Sequence, residues 1–327
     1  MMRIATLTLA VSLLVPTVFA AVIDGAWTAS LDEKRPGRLY VSITRGTMHQ
    51  SGNTMNLSDF ANLSEAQIHA TTMTPVRFEM RREAGTAVFE GTFRNGKGAG
   101  QFDFTPNRNY INAVQALGIE FKLEHKRRDR SEDEELFALA LHDVSTSFIK
   151  TMIAEGYKVS LEDYLSLRIF NVTPEYIREM RALGFKNISS EELVSSRIHR
   201  VTPQYVREMR AAGWSNLTLD DLQSSSIHGA TPQFAAEMAK LGYKNLPFDD
   251  LVSFRIHRVT PEFINELRTL GYTNVSADNL VSMRIHRVTP EFIRELEAAG
   301  YVKVPVEKLV SMRIHGIDAK FIKTMSK

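Results

Sequence analysis

Two different rhythms of apolar residues divide this chain. Between residues 22 and 104 the rhythm is alternation. Phe78 and Met80, Phe89 and Phe93, and Phe102 and Phe104 fall at even spacing, with Arg77, Glu79, Glu90 and Asp103 between them. Successive strand side chains point to opposite faces, so this spacing puts apolar groups on one face and charges on the other. Runs at 25–31 and 38–44 flank the turn Lys34-Arg35-Pro36-Gly37, and runs at 76–82, 87–94 and 98–104 are separated by Ala84-Gly85 and Asn95-Gly96. The pattern predicts a twisted antiparallel meander of about five strands. Its apolar face needs a cover. Residues 47–75, rich in Ser, Thr and Asn, read as a long connection with a short helix at 57–63.

From Val144 onward the rhythm is helical and periodic. The segment Val172-Thr-Pro-Glu-Tyr-Ile recurs in form at Val201, Ala230, Val259 and Val288, each start 29 residues after the last. A degenerate copy begins at Val144 and a truncated one at Ile317. Each copy carries its own helix instructions. Thr260 is placed to cap, Pro261 takes the first helical position, and Glu262 sits where the helix dipole favours a negative charge. Phe263, Ile264, Leu267 and Leu270 form a stripe at helical spacing, and Gly271 ends it. A second helix starts at Ser276, presents Leu280, Val281, Met283 and Ile285, and closes on Arg284 and His286. Pro247 and Pro305 replace the capping Ser in two copies. Two helices of about three turns cannot bury such stripes alone, but stacked neighbours can.

The offsets of Tyr110, Ile111, Val114, Leu117 and Gly118 match those of Phe263, Ile264, Leu267, Leu270 and Gly271. Residues 105–143 therefore read as a degenerate first repeat, interrupted by the charged insertion Lys122 to Arg130. The expected fold class is α+β. A small antiparallel β domain at 22–104 caps an α-solenoid of 29-residue helix-turn-helix repeats, which occupies 105–143 and then 144–327.

Residues 1–20 read as a secretory signal peptide. Arg3 precedes an apolar run, and Val18 and Ala20 stand at the positions a signal peptidase reads. The expected location is periplasmic or secreted, with no integral membrane segment after signal removal. There is no Cys, so a disulfide framework is excluded. The net charge of +2 removes the electrostatic argument for nucleic acid.

The feature closest to chemistry is a histidine ladder. His142, His199, His228, His257, His286 and His315 share one repeat position, which Phe170 alone interrupts. Stacked helices lie roughly 8–10 Å apart, whereas two ligands of one zinc each lie about 2 Å from it. The ladder therefore reads as helix-end architecture, with no metal site and no cofactor. Arg168, Arg197, Arg255, Arg284 and Arg313 form a second series, and Glu179, Glu208, Glu237, Glu266 and Glu295 a third, read as inter-repeat ion pairs. Arg178, Arg181, Arg207 and Arg210, with Ser226 and Gly229, form the candidate interaction surface. Ser226, Gly229, Ala230, Ala235 and Ala236 thin one junction, through a groove or through drift, and drift is the preferred account. Ser147-x-x-Lys150 has the form of a serine-enzyme nucleophile motif but lies inside a repeat with no partner motifs. No metallopeptidase, phosphate-loop or nucleophile-elbow signature is present, so an enzyme is not expected.

The repeat unit, with its Val-Thr-Pro-Glu-Phe-Ile start, Leu-Gly-Tyr turn and Arg-Ile-His end, resembles that of uncharacterised bacterial exported proteins. It is also similar to extensions on membrane metallopeptidases akin to β-lactam sensor–transducers. The chain lacks the zinc-peptidase motif of those sensors, so no catalytic residue carries over. The resemblance implies an envelope-exposed interaction or sensing module, with another envelope protein or a peptide as partner. The alternative function is small-ligand binding by the β domain through Trp27, Tyr40, Phe78, Phe89 and Phe102.

Overall fold

A computed structural model describes residues 23–45, 49–122 and 131–325. The signal-peptide segment and most of the charged insertion lie outside these residues. The chain is α+β, an antiparallel sheet followed by a solenoid-like series of short helices. It divides into two compact units, residues up to Ile169 and residues from Phe170.

The first unit holds the sheet. Its strands are β1 (Ile23–Leu31), β2 (Arg38–Arg45), β3 (His49–Asn56), β4 (Phe60–Ala61), β5 (Thr74–Arg82), β6 (Gly85–Arg94) and β7 (Lys97–Pro106). They pair in the order β3-β2-β1-β7-β6-β5-β4, antiparallel throughout. Seven strands replace the five expected, because β3 and β4 lie in the stretch read as a connection. Strand β3 pairs only with β2, at the sheet edge, and its sequence HQSGNTMN has no apolar alternation to announce it. The short helix of this stretch, α1, spans Glu65–His69 rather than 57–63, which holds a 3-10 turn at Leu57–Asp59. Its signal was a capping box. Ser64 accepts from the Gln67 N–H at 3.3 Å, and the Gln67 side chain accepts from the Ser64 N–H at 2.9 Å.

The sheet curls on itself. Two strands separate β1 from β5, which in a flat sheet would be a gap of about 14 Å. Yet the rings of Trp27 and Phe78 have centroids 5.3 Å apart. Two glycines allow this approach. A Cβ on Gly91 would meet the Ala99 carbonyl at 2.2 Å and the Trp27 ring at 2.8 Å, and one on Gly100 would meet the Glu90 carbonyl at 1.9 Å. The indole N–H then donates to that Glu90 carbonyl at 3.2 Å. Phe78, Phe89 and Phe102 sit opposite one another across β5, β6 and β7 and form the floor of the core.

The helices that follow in this unit are α2 (Asn109–Gln115), α3 (Glu132–Leu141), α4 (Thr146–Ala154) and α5 (Leu161–Ile169), of which α3 packs on β1, β6 and β7, while the earlier α1 packs on β5 and β6. Phe137 of α3 stacks on Phe102 at 5.5 Å and meets Phe104 edge-on at 5.0 Å. Arg45 lies over the Phe137 ring, 5.9 Å from its centre, and pairs with Glu134 at 3.3 Å. Tyr110 of α2 donates to the Val144 carbonyl at 2.5 Å, as Tyr176 in the second unit donates to the Val201 carbonyl at 2.8 Å. The same sequence position thus makes the same bond in α2 and in α6.

The second unit contains α6 (Pro174–Ala182), α7 (Ser190–Ile198), α8 (Pro203–Ala211), α9 (Leu219–His228), α10 (Pro232–Lys240), α11 (Phe248–Ile256), α12 (Pro261–Thr269), α13 (Ala277–Ile285), α14 (Pro290–Ala298), α15 (Val306–Ile314) and α16 (Ala319–Met325). Even-numbered helices open a repeat and odd-numbered ones close it. Thr173, Thr202, Thr231, Thr260 and Thr289 each cap the helix that begins with the following Pro. Pro247 and Pro305 sit at their caps without a side-chain bond, as their chemistry dictates. The closing helices stack on one another in the order α7, α9, α11, α13, α15.

One expected core position turns outward. Leu280 and Met283 are buried, but Ile285 is 51% exposed. At 100° per residue, Ile285 lies about 140° from Leu280 around the helix, whereas Arg284 lies only about 40° away. The arginine, not the isoleucine, flanks the core.

Removing the Phe137 ring uncovers the sheet, so Phe137→Ala is expected to lower stability in urea unfolding by about 3–5 kcal/mol. Tyr40→Ser, on an exposed ring, is expected to change it by less than about 1 kcal/mol.

Candidate functional site

Residues that the period brings into register fall into three sets: helix-end ties, an exposed row, and a cleft. The ties account for most of the charged ladder. His142, His199, His257, His286 and His315 are the C-caps of their helices, and His228 is the last residue of α9. The acting group is chiefly the backbone carbonyl. Arg168 Nε donates to the His142 carbonyl at 3.0 Å, Arg255 to that of His228 at 3.3 Å, Arg284 to that of His257 at 3.2 Å and Arg313 to that of His286 at 3.4 Å. Arg197 does the same to Phe170 at 3.2 Å, which is why Phe can interrupt the histidine series. Where the arginine is missing, the Ser226 hydroxyl donates to the His199 carbonyl at 2.5 Å. Each guanidinium also lies over a ring of its own repeat's first helix, as Arg284 lies 4.9 Å from the centre of Phe263 and Arg255 4.8 Å from that of Phe234.

This corrects the ion-pair account of the arginine series. Among the described residues, Arg168 alone in the series also forms an inter-repeat ion pair, with Asp143 at 2.6 Å; the other inter-repeat pairs use arginines outside it. Arg207 meets Glu179 at 3.3 Å and Arg294 meets Glu266 at 3.5 Å, all on exposed side chains. Of the candidate contact residues, Arg178 is held by Glu175 at 2.9 Å and Arg207 by Glu179, while Arg181 is half-buried in the last turn of α6. Arg210 donates to the Leu183 carbonyl at 2.6 Å. Arg178 thus ties to its own helix, whereas Arg207 and Arg210 tie α8 back to α6. Among the described residues no three His, Asp or Glu side chains gather as a metal site, and no single helix is long and apolar enough to cross a membrane.

The exposed row was not read from the sequence. Ile198, Ile227, Ile256, Ile285 and Ile314 occupy one position on five successive closing helices and are between 48% and 57% exposed. Two residues later the chain takes a left-handed turn, at Arg200 (φ 58°), Gly229 (φ 72°), Arg258 (φ 57°), Arg287 (φ 57°) and Gly316 (φ 68°). The next residue tucks into the core and closes the helix, as Val259 does by donating to the Phe254 carbonyl at 2.8 Å. Among the described residues, the side chains of Arg200, Arg258 and Arg287 form neither an ion pair nor a hydrogen bond. The periodic Ile was visible; its outward direction was not.

The thinned junction is open in the structure. Ala235 and Ala236 line a cleft of about 520 Å³ between α8 and α10. Ser226, Gly229 and Ala230 are elsewhere, at the helix-end tie, the left-handed turn and the core.

Comparison with protein-family models, curated proteins and solved structures returned no match. The functional reading therefore rests on this chain's own residues. In the β domain, Trp27, Phe78, Phe89 and Phe102 are each 1% exposed, while Tyr40 is 47% exposed and covers Gly52. Adjacent strand positions face oppositely, so Tyr40 is on the other side of the sheet from Leu39 and Val41 in the core. The five rings do not share one surface, and four of them are spent on packing.

Two outcomes follow from the ties. Arg284→Gln is expected to reduce urea stability by about 1–2 kcal/mol, the worth of a charge-assisted bond plus a cation–π contact. Glu266→Gln, at an exposed pair, is expected to cost under about 0.5 kcal/mol. The second outcome concerns pH. Burial, and then the charge of Arg168, hold the half-buried His142 down at about 4, against 6.5 when free. The unfolded chain thus binds the proton first. This contribution is complete above pH 6.5 and is lost as pH falls towards 4, by roughly 1–3 kcal/mol. Comparing urea midpoints at pH 7.5 and 4.5 should show a smaller drop for His142→Phe than for the parent.

Proposed function

We propose that this protein is an exported binding scaffold that docks an extended, acidic polypeptide along its stacked closing helices, and we assign it no catalytic step. The observation that carries this reading is the row of half-exposed isoleucines, Ile198, Ile227, Ile256, Ile285 and Ile314. A single exposed apolar side chain is ordinary, but a register of five at one repeat position is a surface. The fold does not require them, because they point away from the core their helices build.

Spacing and charge support a partner of this chemistry. Stacked helices stand about 8–10 Å apart. A polyproline-type chain advances about 9.3 Å in three residues. Such a peptide offers one side chain to each repeat. The unpaired Arg200, Arg258 and Arg287 flank the row and favour acidic groups between the apolar ones. Their backbone supports the same reading. A left-handed non-glycine residue costs roughly 1–2 kcal/mol, and Gly229 and Gly316 show that glycine fits there. A cation at the helix C-terminus recovers about 0.3–1 kcal/mol of this. The remainder is the kind of local strain that accompanies a functional role. The leader-like residues 1–20 and the resemblance to exported repeat proteins support an envelope location.

Selection from a displayed library of 12-residue peptides against the full chain tests this. Enriched peptides should carry apolar residues three apart with acidic residues between. Their affinity should fall at least tenfold for the Ile256→Ser, Ile285→Ser double variant, whose melting curve should match the parent's. Peptides that bind the double variant equally well would sink the proposal.

A further inference from the structure

The cleft between α8 and α10 has the form of a place that a guanidinium has left. In the neighbouring repeats the opening helix carries an arginine that reaches back to the end of the preceding opening helix. Arg210 donates to the Leu183 carbonyl at 2.6 Å and lies 5.8 Å from the centre of the Phe185 ring. Arg268 donates likewise to the Leu241 carbonyl. In α10, between them, the position is Ala239; α14 also departs, with Glu297. The carbonyl that matches Leu183 is that of Ala212, and the ring that matches Phe185 is Trp214. Both line the cleft.

The receiving groups are thus in place without their cation. The Ala212 carbonyl accepts no hydrogen bond among the described residues, and it ends α8, where the helix dipole is negative. Trp214 is fixed in position. Its indole N–H donates to the Leu246 carbonyl at 3.3 Å, and Phe248 meets it edge-on at 6.4 Å. Ala235 and Ala236 replace Val206 and Arg207 of the preceding repeat and leave about 520 Å³ open beside these groups.

We infer that this cleft binds the arginine side chain of a peptide ligand, whose guanidinium stacks on Trp214 and donates to the Ala212 carbonyl. The chain supplies the template for this geometry in its own Arg210. A planar guanidinium can stack and donate at once, whereas a lysine ammonium is a hydrated point charge without a face. The one charged lining residue is Lys244, which is exposed and opposes a cation through solvent. The site uses opening helices and their turns, so it does not rest on the proposed isoleucine row.

The two indole N–H signals of the full chain in nitrogen–proton NMR provide the readout, with Trp27 as internal reference. Titration with N-acetylargininamide should move the Trp214 signal saturably and leave Trp27 still. N-acetyllysinamide should bind at least fivefold more weakly, and N-acetylnorleucinamide should not saturate. Lys244→Gln should tighten arginine binding two- to threefold. Ala239→Arg and Ala239→Met, which fill the cleft with and without a cation, should both abolish the response. The inference fails if arginine produces no saturable shift, if norleucine matches arginine, or if either filled variant responds like the parent. Loss of binding to the isoleucine-row variant would not affect this test, because that variant keeps Trp214 and Ala212 intact.

Discussion

The structure of the repeats depends on how short helices satisfy their carbonyl ends. An α-helix leaves its last four carbonyls without an internal partner. In a nine-residue helix such as α13 that is close to half of the backbone acceptors. The left-handed turn after each histidine returns part of this, through bonds such as Val288 N–H to Met283 at 2.8 Å. The next repeat supplies more, since Arg313 reaches the His286 carbonyl while lying over Phe292. One side chain thus joins the end of one helix, its own repeat's first helix and the stack. The bond spans 27 residues, so inserting a residue between the two ends would break it. The regular period and the arginine are two views of one constraint.

That constraint was only half legible in the sequence. Thr-Pro starts, glycine stops and the cap-less Pro247 and Pro305 were all readable, because capping is local chemistry written in adjacent residues. The arginine series was readable as a series, but its partner was assigned to glutamates because a sequence lists side chains and the acceptor is a backbone carbonyl. The small residues Ala235 and Ala236 hinted at the cleft, but the same blindness hid its Ala212 carbonyl and Trp214 ring, which matter through what residue 239 lacks. Strand β3 was invisible for another reason. An edge strand paired on one side is held by main-chain bonds, and HQSGNTMN gives no alternation to detect. Ile285 was misdirected because two helix positions apart is a 200° turn from Met283, too far round for a shared face.

In the first unit the same need for cover has an aromatic solution. The curled sheet brings Trp27 against Phe78 and leaves Phe102 and Phe104 to be closed by Phe137 of α3. A sheet that buries its aromatics this completely has little left to offer a small ligand on that face. The helices, by contrast, hold more apolar and cationic surface than their packing uses. Arginine therefore plays two roles in this chain that position alone separates. At 255, 284 and 313 it is structural, with carbonyl and ring both engaged. At 200, 258 and 287 it stands in a backbone geometry glycine would hold more easily, beside an isoleucine facing solvent. Folding explains the first set and leaves the second over. It is on this second set, with the isoleucines beside it, that the proposed docking surface rests.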